Sequence, residues 1–232
     1  MNDRTIAISG AFGSLGRVVA RAAAERGANV AALDRAATPP AGFAELLGPR
    51  ALLVDGVDLS SVEGARRAMA DVKARFGRLD ALVNIAGGFR WQNIEGGDAA
   101  TWDAMFAMNL KTALNASQAA LPYLLESGAG RIVNVGANSA VKAAAGMGAY
   151  GASKSAVHRL TESMADELKT RGVTVNAVLP SIIDTPANRA EMPRAQFDRW
   201  VAPADLAAVI LFLASEESRA VTGALIPVTG GV

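Results

Sequence analysis

Short runs of β-branched or aliphatic residues alternate with longer amphipathic stretches along this chain, and that alternation leaves few folds open. It predicts strands near Thr5 to Ile8, Asn29 to Leu33, Ala51 to Val54, Ala81 to Asn84, Arg131 to Val135, Val173 to Ala177 and Leu225 to Val228. Helices are predicted near Leu15 to Arg26, Val62 to Phe76, Thr101 to Glu126, Ala149 to Arg171 and Pro203 to Ala214, with Ser60 and Glu63 spaced as a capping box. Strands joined through helices run parallel, and a parallel sheet needs both faces covered. Three helices end in glycine, at Gly27, Gly77 and Gly172, each preceded within two residues by an arginine that suits the negative end of the helix dipole. The turn-rich segment Thr38 to Gly48, with Pro39-Pro40, is too short to separate two cores. The expectation is an α/β chain, doubly wound on a seven-stranded parallel sheet, forming one domain over residues 1–232.

Charge and composition exclude several function classes. Lys and Arg total 23 against 22 Asp and Glu, so no single-sign field exists to hold nucleic acid or an acidic membrane. There is no cysteine and one histidine, His158, which removes disulfides, thiolate chemistry and the usual metal ligand sets. The longest apolar run, Leu206 to Ala214, falls well short of the roughly 20 residues a spanning helix needs. Met1-Asn2-Asp3-Arg4 lacks the flanks of a signal peptide, so a cytoplasmic protein acting on a small molecule is expected.

The first strand runs into Gly10-Ala11-Phe12-Gly13-Ser14-Leu15-Gly16 and then a helix. Gly10, Gly13 and Gly16 let the backbone turn tightly and approach a pyrophosphate at the helix amino terminus, where Ser14 and Leu15 sit. Alone, the loop also fits a tight turn without a ligand. Asp34, ending the second strand, adds a carboxylate for adenosine ribose hydroxyls and would repel a 2′-phosphate, so NAD is expected over NADP. Arg35 is the competing feature, read here as a surface charge.

Tyr150 and Lys154 lie four apart on one helix, so an ammonium is expected to lower the phenol's pKa. With the glycine loop, Asp58-Leu59, Asn84-Ile85-Ala86-Gly87, Asn109, Leu179-Pro180 and Thr185, the chain resembles the short-chain dehydrogenase/reductase family over nearly its whole length. The resemblance implies a single Rossmann domain, Tyr150 as proton donor or acceptor, Lys154 on the nicotinamide ribose and Asn109 holding a water relay. It further implies Asp58 near the adenine, Asn84, Ala86 and Gly87 along the cofactor, Pro180 beside it, and Thr185 reaching the carboxamide or phosphates. Family members commonly pair through two long helices, here Thr101 to Glu126 and Ala149 to Arg171, giving a homodimer or homotetramer.

Three departures matter. Gly13 comes one position early, Ser181 replaces a glycine, and Ala137 stands where the family has a serine that binds a substrate carbonyl. Ser139 is an alternative hydroxyl if the strand continues, two residues and roughly 6.6 Å further on. These departures, with Gly146 to Gly151, Leu179 to Arg189, Met192-Pro193 and Phe197 to Trp200, resemble the dihydropteridine reductases within the family. That implies NADH-dependent reduction of a quinonoid dihydropterin; a ketone/alcohol pair and a catalytically silent nucleotide sensor are the alternatives. Phe89 or Trp91 is placed either to stack on a flat substrate or to pack under the next helix. His158 is read as a partner-facing or surface residue, and Met105 and Met108 as core or helix-pair contacts.

Overall fold

The computed structural model describes residues 1–232. Its seven strands are β1 (Thr5–Ser9), β2 (Asn29–Leu33), β3 (Ala51–Val54), β4 (Ala81–Asn84), β5 (Gly130–Val135), β6 (Val173–Pro180) and β7 (Leu225–Val228). They form one all-parallel sheet in the order β3-β2-β1-β4-β5-β6-β7. Strand order reverses between β1 and β4, which opens a crevice at their carboxyl ends, the usual ligand position in such sheets.

Two-residue periodicity along β1 divides the core. Ile6 and Ile8 join the apolar cluster under α1 (Ser14–Glu25), while Ala7 joins the one on the opposite face. The second cluster includes Ala68 and Met69 of α3 (Val62–Phe76), following the short α2 (Phe43–Leu47). That short helix lies within the segment expected to be a turn-rich connection; Phe43 and Leu47 bury their side chains against the first cluster.

The segment predicted as one long helix is three. α4 (Ala99–Met105) passes into a π-helical stretch at Phe106–Lys111 before α5 (Thr112–Glu126). Such widened turns concentrate at functional sites, and Asn109 lies within this one. After β5 come a 3-10 turn at Asn138–Ala140 and α6 (Gly148–Leu168); after β6 come α7 (Pro186–Glu191) and α8 (Pro203–Leu213).

Gly27, Gly77 and Gly172 all adopt positive φ, as the helix-end pattern requires. The capping box is corrected by one residue. Ser61 caps α3, accepting the Gly64 N–H at 3.3 Å, because Ser60 is engaged by Asp58: its N–H and hydroxyl both donate to Asp58 Oδ1, at 2.9 and 2.7 Å.

Candidate active site

The crevice between β1 and β4 opens into a cavity of about 530 Å³, in the range of small-molecule sites. Gly10, Gly13, Ser14, Leu15 and Gly16 form its floor, Asp34, Arg35 and Asp58 one end, and Ala86, Gly87 and Met108 the other. A Cβ on Gly16 would lie 2.1 Å from the Gly10 carbonyl oxygen, and one on Gly10 would lie 2.9 Å from the Ala86 backbone. Only glycine permits that approach, and Gly10 also takes φ +66°. Gly13 caps α1 without a side-chain acceptor, leaving the first helical N–H groups for an anion. The donor set and the close backbone therefore fit a dinucleotide pyrophosphate.

At one end of the cavity, Asp34 accepts N–H bonds from Phe12 and Ala36, both at 2.9 Å. Each carboxylate oxygen keeps further lone pairs for ribose hydroxyls. Ser60 hydrogen bonds, assisted by the charge of Arg35, hold Asp58 below the usual carboxylate range. Arg35 is exposed, as expected of a surface charge, and lines the same cavity.

Ser9 joins the two walls. Its buried Oγ accepts the N–H groups of Ile85 and Ala86, both at 3.1 Å, and so fixes the loop after β4 against the end of β1. Asn109 fixes the next part. Its Oδ1 accepts the Gly88 N–H at 2.9 Å, and its Nδ2 donates to Gly88 O at 3.1 Å and to Ser153 Oγ at 2.9 Å. Ser153 in turn donates to the Tyr150 carbonyl at 2.8 Å. A Cβ on Gly87 would meet Asn109 Oδ1 at 2.5 Å and Lys154 Nζ at 3.4 Å, so this glycine links the cavity to the reactive pair.

Tyr150 lies in the first turn of α6 and Lys154 one turn later. The expected lowering of the phenol's pKa is corrected: burial pushes Tyr150 up to about 12 and Lys154 down to about 8. Burial disfavours the charged form of each group. The Lys154 ammonium instead donates to the Val135 carbonyl at 2.7 Å. At neutral pH the tyrosine therefore holds its proton.

Other predicted residues fall elsewhere. Asn84 is buried beneath the cavity, donating to Asn134 Oδ1 at 2.8 Å and Ser117 Oγ at 3.1 Å, because its strand directs it into a polar network under the sheet end. Thr185 accepts the Asn188 N–H at 3.2 Å as cap of α7, and Pro180 ends β6; neither lines the cavity. Met108 lines the cavity, whereas Met105 is core.

His158 is buried, not a surface or partner-facing residue: its Nε2 accepts the Ala137 N–H at 3.3 Å. Burial first, then the charges of Arg159 and Lys154, depress it to about 4. Ala137 is 3 % exposed and offers no donor. β5 ends at Val135, and Ser139 sits in the 3-10 turn, so the extended-strand premise for its placement fails.

Ser9, Met108 and Ser153 went unrecognised in the sequence as parts of the site. Ser153 carried a signal, standing between Tyr150 and Lys154; Ser9 and Met108 depend on how loops meet.

The comparisons agree with this geometry. Residues 4–196 match the family model described as short chain dehydrogenase. Nodulation protein G of Azospirillum brasilense is 35 % identical, with 100 % of this chain and 99 % of that protein covered. The 7alpha-hydroxysteroid dehydrogenase of Bacteroides fragilis is 34 % identical, with 99 % and 94 % covered. Carveol dehydrogenase from Mycobacterium avium, solved in complex with NAD, superposes with a TM-score of 0.88 at 29 % identity, covering 100 % of this chain and 98 % of that one. The 3-ketoacyl-(acyl-carrier-protein) reductase from Brucella melitensis, complexed with NADH, gives 0.89 at 27 % identity, covering 99 % and 98 %. This chain belongs to the short-chain dehydrogenase family and is an NAD(P)-dependent oxidoreductase of that type.

Proposed function

We propose that this oxidoreductase uses NADH to reduce a quinonoid dihydropterin or a similar electron-poor, conjugated acceptor. The observation that carries the reading is the pairing of Ala137 with Tyr150: a protonated phenol stands ready, while position 137 has a methyl group and an N–H already given to His158. Reducing a simple ketone develops negative charge on oxygen, where one placed donor contributes about 2.7 to 4 kcal/mol. A conjugated ring spreads that charge and needs chiefly the proton.

The bound dinucleotide supplies the hydride. Tyr150 donates the proton from its hydroxyl, Lys154 holds the nicotinamide ribose, and Asn109 fixes the Gly88 backbone and, through Ser153, the start of α6. Asp58, Ala86 and Gly87 flank the cofactor, with Asn84 supporting their loop from below. Pro180, ending β6, and Thr185, capping α7, would stand near the nicotinamide, as the family resemblance implies. NAD is favoured over NADP because Asp34 and Asp58 together outweigh Arg35, so a further phosphate would meet net negative charge. Two copies of the chain pair through α5 and α6.

A ketone or alcohol substrate is the second reading, favoured by the half-buried Ser139 and by relatives named as hydroxysteroid and carveol dehydrogenases. An NADH-oxidation screen tests both. The expected outcome is higher kcat/KM with quinonoid dihydropterin than with ketones, Ala137→Ser raising ketone activity more than pterin activity. Strong ketone reduction that collapses in Ser139→Ala selects the second reading, and no turnover with any acceptor selects a nucleotide sensor. Tighter binding of NADPH than NADH, or an Asp34→Ala variant that leaves their ratio unchanged, defeats the cofactor assignment.

A further inference from the structure

The loop after β4 carries two aromatic side chains that the proposed reaction has not used. Phe89 and Trp91 are 47 % and 59 % exposed, a costly display for residues of that size. Phe89 nevertheless has a defined position. Its ring centroid lies 5.0 Å from that of Tyr150, with the planes at 80°, an edge-to-face pair with the proton donor itself. The residue before it, Gly88, is clamped through both its N–H and its carbonyl by Asn109.

Trp91 is seated as firmly. Gly146 takes φ +73°, and a Cβ there would lie 2.1 Å from the Trp91 ring, so the indole rests directly on backbone. The Gln92 N–H donates to the Gly146 carbonyl at 2.8 Å, tying the two loops together. The alternative expectation, that these aromatics pack beneath the following helix, does not fit their exposure.

We infer that Phe89, with Trp91 beside it, is a specificity-determining residue that selects planar, conjugated acceptors by offering them an aromatic wall next to Tyr150. The inference rests on the reductase reading but not on the pterin, since any flat electron-poor ring gains from stacking while a saturated ketone gains little.

The test compares NADH-dependent reduction of quinonoid 6,7-dimethyldihydropterin, phenanthrenequinone and cyclohexanone by the unmodified protein, Phe89→Leu and Phe89→Tyr. Phe89→Leu is expected to lower the ratio of kcat/KM for planar over saturated acceptors about tenfold, mainly through KM, with Phe89→Tyr restoring it. An unchanged ratio, or a fall carried wholly by kcat, overturns the inference. So does failure of both planar compounds to be reduced and to quench the tryptophan fluorescence of the NAD-loaded protein saturably. A quinone reduced in a Phe89-dependent way beside an inert dihydropterin upholds the inference and removes the pterin reading.

Discussion

Two buried charges at opposite ends of the parallel sheet, Asp80 and Lys154, are held in different ways. At the amino ends of the strands, Asp80 is 1 % exposed but fully matched: it accepts the Thr5 N–H at 2.8 Å and both arms of Arg78 at 2.9 and 2.7 Å. Arg4, buried beside it, donates to the carbonyls of Asp80 and Ala129 and to Glu216. At the carboxyl ends, Lys154 is 6 % exposed, and its ammonium is held by the neutral Val135 carbonyl. A matched buried charge holds strands in register, whereas one without a carboxylate carries a displaced pKa and stays available to a ligand.

The largest effects should come from disturbing the reactive edge. Tyr150→Phe is expected to lower turnover by about two orders of magnitude or more, the scale of a lost positioned proton donor, with NADH affinity nearly intact. Lys154→Met should lose both turnover and affinity while raising stability at pH 7. The folded pKa of Lys154, about 8, lies below the ordinary 10.5, so folding disfavours its charge. That cost is fully present below about pH 8 and is relieved as pH rises toward 10.5. The gain in Lys154→Met, on the order of 2 kcal/mol by denaturant titration, should therefore shrink with rising pH. A variant less stable than the parent at pH 7 would contradict the contrast between the two edges.

At the other edge the signs reverse. Asp80→Asn removes the partner of Arg78 and weakens the tie to the Thr5 N–H, and should cost about 3 kcal/mol of stability. Arg78 is half-exposed and can recover water, which keeps the loss at the lower end for a broken buried pair. Nucleotide affinity of the folded protein should not change, because the cavity lies at the opposite ends of the strands. A large loss of NADH affinity by calorimetry, at a pH where the variant is folded, would show that the edges are coupled.

The same contrast explains what was legible in the sequence. All seven strands and the glycine loop were readable, because alternation, helix-end glycines and Gly-rich spacing are local signals written in consecutive residues. Tyr150 and Lys154 were readable as a pair because one helical turn separates them. The direction of their pKa shifts was not, since burial depends on what packs above the helix. The π-helical stretch at Phe106–Lys111 was equally hidden: Asn109 faces Gly88 and Ser153 only after β4 and α6 have come together. The Ser60 capping assignment failed for a nearer reason, because Asp58 takes the hydroxyl and passes the cap to Ser61. His158 was misread because helical angle alone does not reveal that the turn after β5 folds back over it.

His158 provides the finest test of the contrast, being a buried titratable group at the carboxyl edge held by a single backbone donor. Its folded pKa, about 4, lies below the ordinary 6.5, with burial the first cause and the positive charges of Arg159 and Lys154 adding to it. The unfolded chain therefore takes up the proton first as pH falls. The stability this histidine contributes is complete above pH 6.5 and is lost progressively as pH falls toward 4. Between pH 6.5 and 5 the loss amounts to about 2 kcal/mol, from roughly 1.5 pH units at 1.36 kcal/mol each. Protonation of the folded protein, which sets in only near pH 4, would also remove the acceptor of the Ala137 N–H. His158→Gln keeps an acceptor without the titration and should flatten the denaturant stability profile between pH 6.5 and 5. The carboxylates are the same in both proteins, so they cancel in the difference. Parallel profiles for the two proteins would mean that His158 titrates alike in the folded and unfolded states, and that burial does not hold it neutral.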